Sequence, residues 1–397
     1  MKRRIIIIMH NDLMDYPPMI SLIDVLHELN EDITYIGGYT DSPTTERFVS
    51  NGINLIRLSC EKKGSLVNKI TTFYAYNRKL SSLLEKLKIN NDKDLIWYVY
   101  SDSANFIYKT LAKYKYVIHY YEYVSQSNWK FKILSPFYNQ MTFAQKAIGV
   151  IQCEYNRAEI FRALNELNES PYVIPNKPYL KEQSMVEMSI PNDIKKIIES
   201  VKNKVVDKKV ILYQGYFDSK ERKLEEFCEA IIKMPSEYVM IAMGKGPDNS
   251  YAKLKAKYES DRILFIPFIL PPFHLNITQL ASVGVLSYSP QVRTHAGVIN
   301  SLFCAPNKIF EYGRYGKPMI SNNVPGLNSI FKLYHCGLTI NYPITPDAIV
   351  STINSLYTDY ESFSNGAKQY YDSVDLIGII EGIIEDIRQK HYSNGHQ

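Results

Sequence analysis

Between Pro306 and Pro318 the chain reads PNKIFEYGRYGKP, a string whose residue types suit recognition of phosphate and of neighbouring hydroxyls. Pro306, Asn307 and Lys308 open a helix, so unpaired N–H groups and an ammonium lie together at its amino end. Phosphate oxygens are favoured there. Glu311 follows one turn later and offers a carboxylate to hydroxyls, while Gly316 and Pro318 close the helix. Two further loops follow apolar runs: Gln214-Gly215, with Arg222 beyond it, and Gly244-Lys245-Gly246. Glycine lets backbone approach a diphosphate closely, and arginine pairs with it. Gly215, Arg222, Gly244, Asn307, Lys308, Ile309 and Glu311 are therefore the candidate binding set. A glutamate on a helix is by itself most often solvated, and Gly-Lys-Gly is also what a turn requires. Helix design alone does not demand the complete string.

Strands must position such loops, and the first half alternates short apolar runs with helical patterns. Arg4–Met9, Ile33–Ile36, Leu95–Tyr100, Tyr116–Tyr120, Ile148–Cys153 and Tyr172–Ile174 read as strands. Met19–Leu29, Leu66–Leu87, Ser103–Tyr114, Ser135–Lys146 and Arg157–Leu167 read as helices between them. From about residue 175 to 209 the pattern degrades into Pro-containing, Lys-rich sequence with one polar helix over Asp193–Val206. A second series then runs through strands Val210–Gln214, Tyr238–Met243, Ile263–Phe265, Val283–Ser287 and Pro318–Ser321. Its helices are Lys223–Met234, Asn249–Lys257, His274–Leu280 and Asn307–Tyr315, and a last helix covers Ser373–His391. Alternation of this kind means βαβ units and parallel sheets. The expected class is α/β, with two doubly wound, Rossmann-like domains facing a cleft. Residues 1–180 form the first, 181–204 a linker and 205–370 the second, and 371–397 hold the last helix. Ligands of such sheets bind at the carboxyl ends of the strands.

A chain of 397 residues is too long for one ordinary core, which agrees with two domains. Apolar residues at 45% and charged residues at 22% are ordinary for globular proteins and argue against wholesale disorder. Cys60, Cys153, Cys228, Cys304 and Cys336 are odd in number, widely spaced and form no C-x-x-C pair, so a reducing, cytoplasmic setting is expected. The amino-terminal MKRRIIIIMHND is too short in its apolar run for a signal peptide and reads as a buried strand. No apolar window approaches the roughly 18 residues that span a bilayer. Of the net charge of +5, about +4 falls in residues 1–180. That is too weak for a nucleic-acid binder, yet it suits an anionic membrane surface or a phosphorylated acceptor.

The stretch PNKIFEYGRYGKPMISNN resembles the donor-site helix of the retaining GT-B glycosyltransferases of family 4, particularly those building bacterial surface polysaccharides. They share P-x-K-x-x-E-Y, then G-K-P and a strand. The resemblance implies that Glu311 binds a ribose and that the helix start faces the phosphates of a nucleotide-sugar donor. Gln214-Gly215 with Arg222 resembles the family's G…R-G loop, Lys223 replacing its second glycine, and Gly244-Lys245-Gly246 resembles its G-x-G. Val283–Tyr288 resembles its aDvgl.py strand. The likeness covers about residues 205–325, and the first half only in architecture; it also implies that the last helix, within 371–397, packs back on the first domain. There, VIHYYEY over Val117–Tyr123 resembles a strand ending in His-Glu, with Tyr121 at the histidine position before Glu122. Where many relatives carry a second glutamate this chain has Phe303, so Asn300 and Ser301 are left as residues to face the sugar.

The expectation is thus a glycosyltransferase moving sugar from a nucleotide-sugar donor to a saccharide or lipid-linked acceptor, in surface-polysaccharide synthesis and with retention. His119, Glu122, Arg222 and Lys308 are the catalytic candidates, His119 equally reading as a hydrogen-bonded strand histidine. No cofactor and no metal are expected: Asp92-Lys93-Asp94 is formally D-x-D but precedes its strand, where a turn wants aspartate. NWKFKIL over Asn128–Leu134 leaves open a nucleic-acid strip, an interfacial membrane contact or an ordinary strand edge. A nucleotide-sugar epimerase on the same fold, and a non-catalytic homologue partnering an active transferase, are the alternatives.

Overall fold

The computed structural model describes residues 4–58, 66–125, 135, 137–179, 190–218, 221–246, 249–290 and 294–393. The Asn128–Leu134 segment lies outside them. The chain divides into two compact units, one of residues 1–175 with 376–397 and one of residues 176–375.

The first unit is built on a parallel sheet of seven strands in the order β3-β2-β1-β4-β5-β6-β7. These are β1 (Arg4–Asp12), β2 (Asp32–Gly38), β3 (Asn54–Arg57), β4 (Asp94–Val99), β5 (Tyr116–His119), β6 (Gly149–Gln152) and β7 (Tyr172–Val173). Strand β1 is central, and Ile5 to Met9 are fully buried, as a strand covered on both faces must be. The aspartates of the D-x-D stand at the amino end of β4. Asp94 accepts from Arg4 at 2.6 Å and from the Asn90 N–H at 2.9 Å, so it fastens a turn. Helix Leu376–Ser393 buries Ile380, Ile383, Ile384 and Ile387, and its Arg388 pairs with Glu31 at 2.6 Å.

The second unit has a parallel sheet of six strands in the order β10-β9-β8-β11-β12-β13. They are β8 (Lys209–Tyr216), β9 (Tyr238–Lys245), β10 (Ile263–Pro267), β11 (Val283–Leu286), β12 (Met319–Asn322) and β13 (Gly337–Ile340). Two apolar layers flank it. One gathers Val210, Leu212, Leu286, Ile309, Tyr312 and Met319, the other Ile211, Tyr213, Val285, Ile320 and Ile353. Helix Asn192–Lys204, expected as part of a linker, belongs to the first of these layers. Its Ile198 and Val201, with Val205 just beyond it, bury at helical spacing against the sheet. Strand order reverses at β1/β4 and again at β8/β11, and ligands of open parallel sheets bind at such switch points.

Candidate functional site

Gln214 and Gly215 end strand β8, and Ser287 follows β11, so both strands at the second unit's switch point deliver polar groups to one place. Helix Asn307–Arg314 comes next. Its N-cap Pro306 provides no side-chain cap, as the sequence demands, and leaves first-turn N–H groups for another partner. Tyr312 anchors the helix from below: its hydroxyl donates to Leu212 O at 3.0 Å, and its ring fills the space where a Cβ on Gly284 would stand, 2.3 Å away. This fixes Glu311, the preceding residue, at the sheet's carboxyl edge.

Glu311 is 5% exposed, and both of its carboxylate oxygens are engaged. Gln214 Nε2 donates to Oε2 at 2.5 Å, and His274 Nε2 lies 3.1 Å from Oε1. Burial works to raise its pKa, but the charge and hydrogen bond of His274, the charge of Lys308 and the Gln214 amide outweigh it. The carboxyl is held below the ordinary range and stays ionised.

Lys308 is half-buried, with Nζ 4.8 Å from the Tyr213 ring centroid and 5.6 Å from that of Tyr288. Burial and then the charge of Arg222 push its pKa down to about 7, against the opposing pull of Glu311. Arg222 lies over the other aromatic, its Cζ 4.3 Å from the Tyr288 centroid, and its Nη1 donates to Ser287 O at 3.0 Å. Among the described residues, Arg222 Nε, Ser287 Oγ and His274 Nδ1 are buried without a hydrogen-bond partner. Buried polar atoms in native proteins rarely stay unpaired, so Arg222 Nε and Ser287 Oγ are available to a ligand. Two cations beside free helix N–H groups can neutralise a diphosphate, and a buried ionised carboxylate can accept from hydroxyls.

The glycines have tighter reasons than ligand access. A Cβ on Gly215, at φ +135°, would stand 2.4 Å from Lys308 Nζ; one on Gly244, at φ +152°, would stand 1.8 Å from Gly215 O. These two residues are register partners on β8 and β9. Ile309 is corrected: its side chain, 2% exposed, belongs to the apolar layer and leaves only backbone to the site. Asn307 stays half-buried at the first helical position. Phe303 caps helix His295–Leu302, its N–H bonded to Ile299 O at 3.0 Å; Ser301 is buried and Asn300 half-buried.

In the first unit, His119 is a core residue rather than an exposed acid or base. It is 1% exposed, its Nδ1 accepts from Trp97 Nε1 at 3.3 Å, and burial pushes its pKa down to about 3. The imidazole is neutral. Tyr121 packs 4.4 Å from its ring, and Glu122, just past β5, is exposed. His274 and Thr278 escaped sequence reasoning because no local spacing links them to Glu311 or Gln214.

Two doubly wound parallel sheets in one chain, of seven and six strands, constitute the GT-B fold. Solved structures agree over their whole length. The chain superposes on the Anabaena protein Alr3699/HepE in complex with UDP-glucose with a TM-score of 0.68 and 15% identity, covering 98% of this chain and 100% of that one. A glycosyltransferase from Rickettsia africae gives 0.67 and 13%, covering 98% of each. WaaG, a glycosyltransferase involved in lipopolysaccharide biosynthesis, gives 0.59 and 12%, covering 96% of this chain and 99% of that one. No protein-family model and no curated protein sequence matches the chain.

Proposed function

We propose that this chain is a glycosyltransferase that moves a sugar from a nucleotide-sugar donor, a UDP-sugar in the first instance, to a saccharide or lipid-linked acceptor. The observation that carries the reading is the buried, ionised Glu311 one turn below an uncapped helix start, with Lys308 and Arg222 beside it. A carboxylate for ribose hydroxyls and cations for a diphosphate are what such a donor requires. Structures of the same fold that hold UDP or UDP-glucose support the choice of base.

In this reading Glu311 holds the ribose, while Lys308, Arg222 and the N–H groups of Asn307 and Lys308 hold the diphosphate. As the glycosidic bond breaks, negative charge grows on the departing phosphate oxygen. The same cations, already in place, stabilise it at no reorganisation cost. The chain's own side chains suffice for that task, so no metal enters the proposal. Retention of configuration, a role in surface-polysaccharide synthesis and action at the inner face of a membrane follow the resemblance of the donor helix to family 4. Glu122, exposed at the carboxyl edge of the first sheet, is the acceptor-side candidate.

Incubation with a panel of nucleotide sugars, with and without saccharide or lipid-linked acceptors, tests this by following free nucleotide. Acceptor-dependent release is the expected result. Isomerised sugar without acceptor would instead identify an epimerase, and an inert protein that still binds UDP would identify a non-catalytic homologue.

A further inference from the structure

Glu311 ends a chain of hydrogen bonds that begins at Thr278. Thr278 Oγ1 donates to Gln214 Oε1 at 2.8 Å, and this turns the amide so that its Nε2 donates to Glu311 Oε2 at 2.5 Å. His274 Nε2 meets the other oxygen at 3.1 Å. Because the carboxylate is an acceptor only, that nitrogen carries the hydrogen. Thr278 and Gln214 are 0% and 3% exposed, so the relay is locked in place by packing.

An ionised carboxylate has about four lone-pair sites, and two are already used, one on each oxygen. Each oxygen therefore keeps one further site, and the pair is aimed by donors that cannot turn. Two acceptors held side by side match two adjacent hydroxyls. We propose that Thr278, Gln214 and His274 are positioning residues that set Glu311 to receive a vicinal diol, making the second unit selective for ribonucleotides over 2′-deoxyribonucleotides. The proposal rests on the donor-binding reading above and adds to it the residues that create its selectivity. None of the three touches the sugar in this scheme. Their effect reaches the ligand only through Glu311, so it is larger for a ligand that carries both hydroxyls than for one that keeps the 3′-OH alone.

Titration calorimetry with UDP and 2′-deoxy-UDP on the full chain provides the test. Wild type is expected to favour UDP by about tenfold or more, the worth of one charged hydrogen bond. Thr278→Val and His274→Leu should narrow that preference, weakening UDP more than 2′-deoxy-UDP; His274→Gln, which restores an N–H donor, should recover it. Should Thr278→Val fail to fold, the His274 pair decides the matter alone, that residue being only half-buried. Equal weakening of both ligands would reduce the relay to a packing role and overturn the proposal. A wild type that binds UDP without discriminating overturns it too, leaving the donor reading intact, whereas a wild type that binds neither nucleotide removes both.

Discussion

Glu311→Ala removes a buried carboxylate whose two oxygens are both engaged, and a charged hydrogen bond to such a group is worth roughly 1.5–3 kcal/mol. The expected loss in UDP affinity is about 10- to 150-fold by titration calorimetry; an unchanged constant would remove Glu311 from the site. Lys308 adds a signature in protons. With its pKa near 7 in the empty protein, about nine in ten of these amines are neutral at pH 8. A bound diphosphate restores the charge, so binding at pH 8 takes up about 0.9 proton, and affinity falls close to tenfold per unit as pH rises further. Calorimetry in buffers of different ionisation enthalpy reads the uptake, and Lys308→Met should abolish it. Glu311, Lys308 and Arg222 were legible in sequence because they stand in a local string or just beyond a strand. His274 and Thr278 were not: the bonds that recruit them span 37 and 64 residues of chain. His119 was left between two readings for the complementary reason, since a strand pattern reveals which faces are buried only once its neighbours are known.

Most strands and the helices between them were readable from alternating apolar runs, to within a few residues at their ends. Helices Pro43–Ser50, His295–Leu302, Pro325–Tyr334, Pro346–Tyr357 and Tyr360–Ser373 were passed over, as were β3 and β13. Proline at the first turn was the available signal for three of them, and Thr345 caps its helix by accepting from the Ala348 N–H at 3.2 Å. Tyr360–Ser373 is different, because its glycine and serines weaken any helical preference and its apolar face is supplied by tertiary contact. The loop before helix Leu224–Lys233 explains one departure from the donor-loop pattern. Lys223 stands where the resemblance places a glycine, yet it adopts φ 49° and ψ 35°, the left-handed conformation that glycine takes freely. The backbone requirement survived the change of residue. Lys223→Gly should therefore leave stability within about 1 kcal/mol, whereas Lys223→Ile, branched at Cβ, should cost more than that. Thermal denaturation of the two variants distinguishes them, and equal melting points would refute the explanation.

At the scale of the whole chain the first unit is discontinuous, since residues 176–375 interrupt it before helix Leu376–Ser393 completes it. Ile380, Ile383, Ile384 and Ile387 each bury nearly all of their surface there. At about 1.5–3 kcal/mol per side chain this amounts to roughly 6–12 kcal/mol, an upper bound that rivals the roughly 5–15 kcal/mol net stability of an ordinary domain. A chain ending at Asp375 should have an unfolded first unit. Trp97, 0% exposed on β4, reports on that unit, so its emission would shift to the red on truncation while an intact first unit would keep it blue. Interrupted order also has a consequence during synthesis. A ribosome releases residues 1–175 long before the helix that seals them, so the nascent first unit waits with an apolar seat uncovered while the intervening 200 residues are made. The second unit, continuous in sequence, is free to mature first, and the amino-terminal half is the part of this protein that most needs a chaperone's protection.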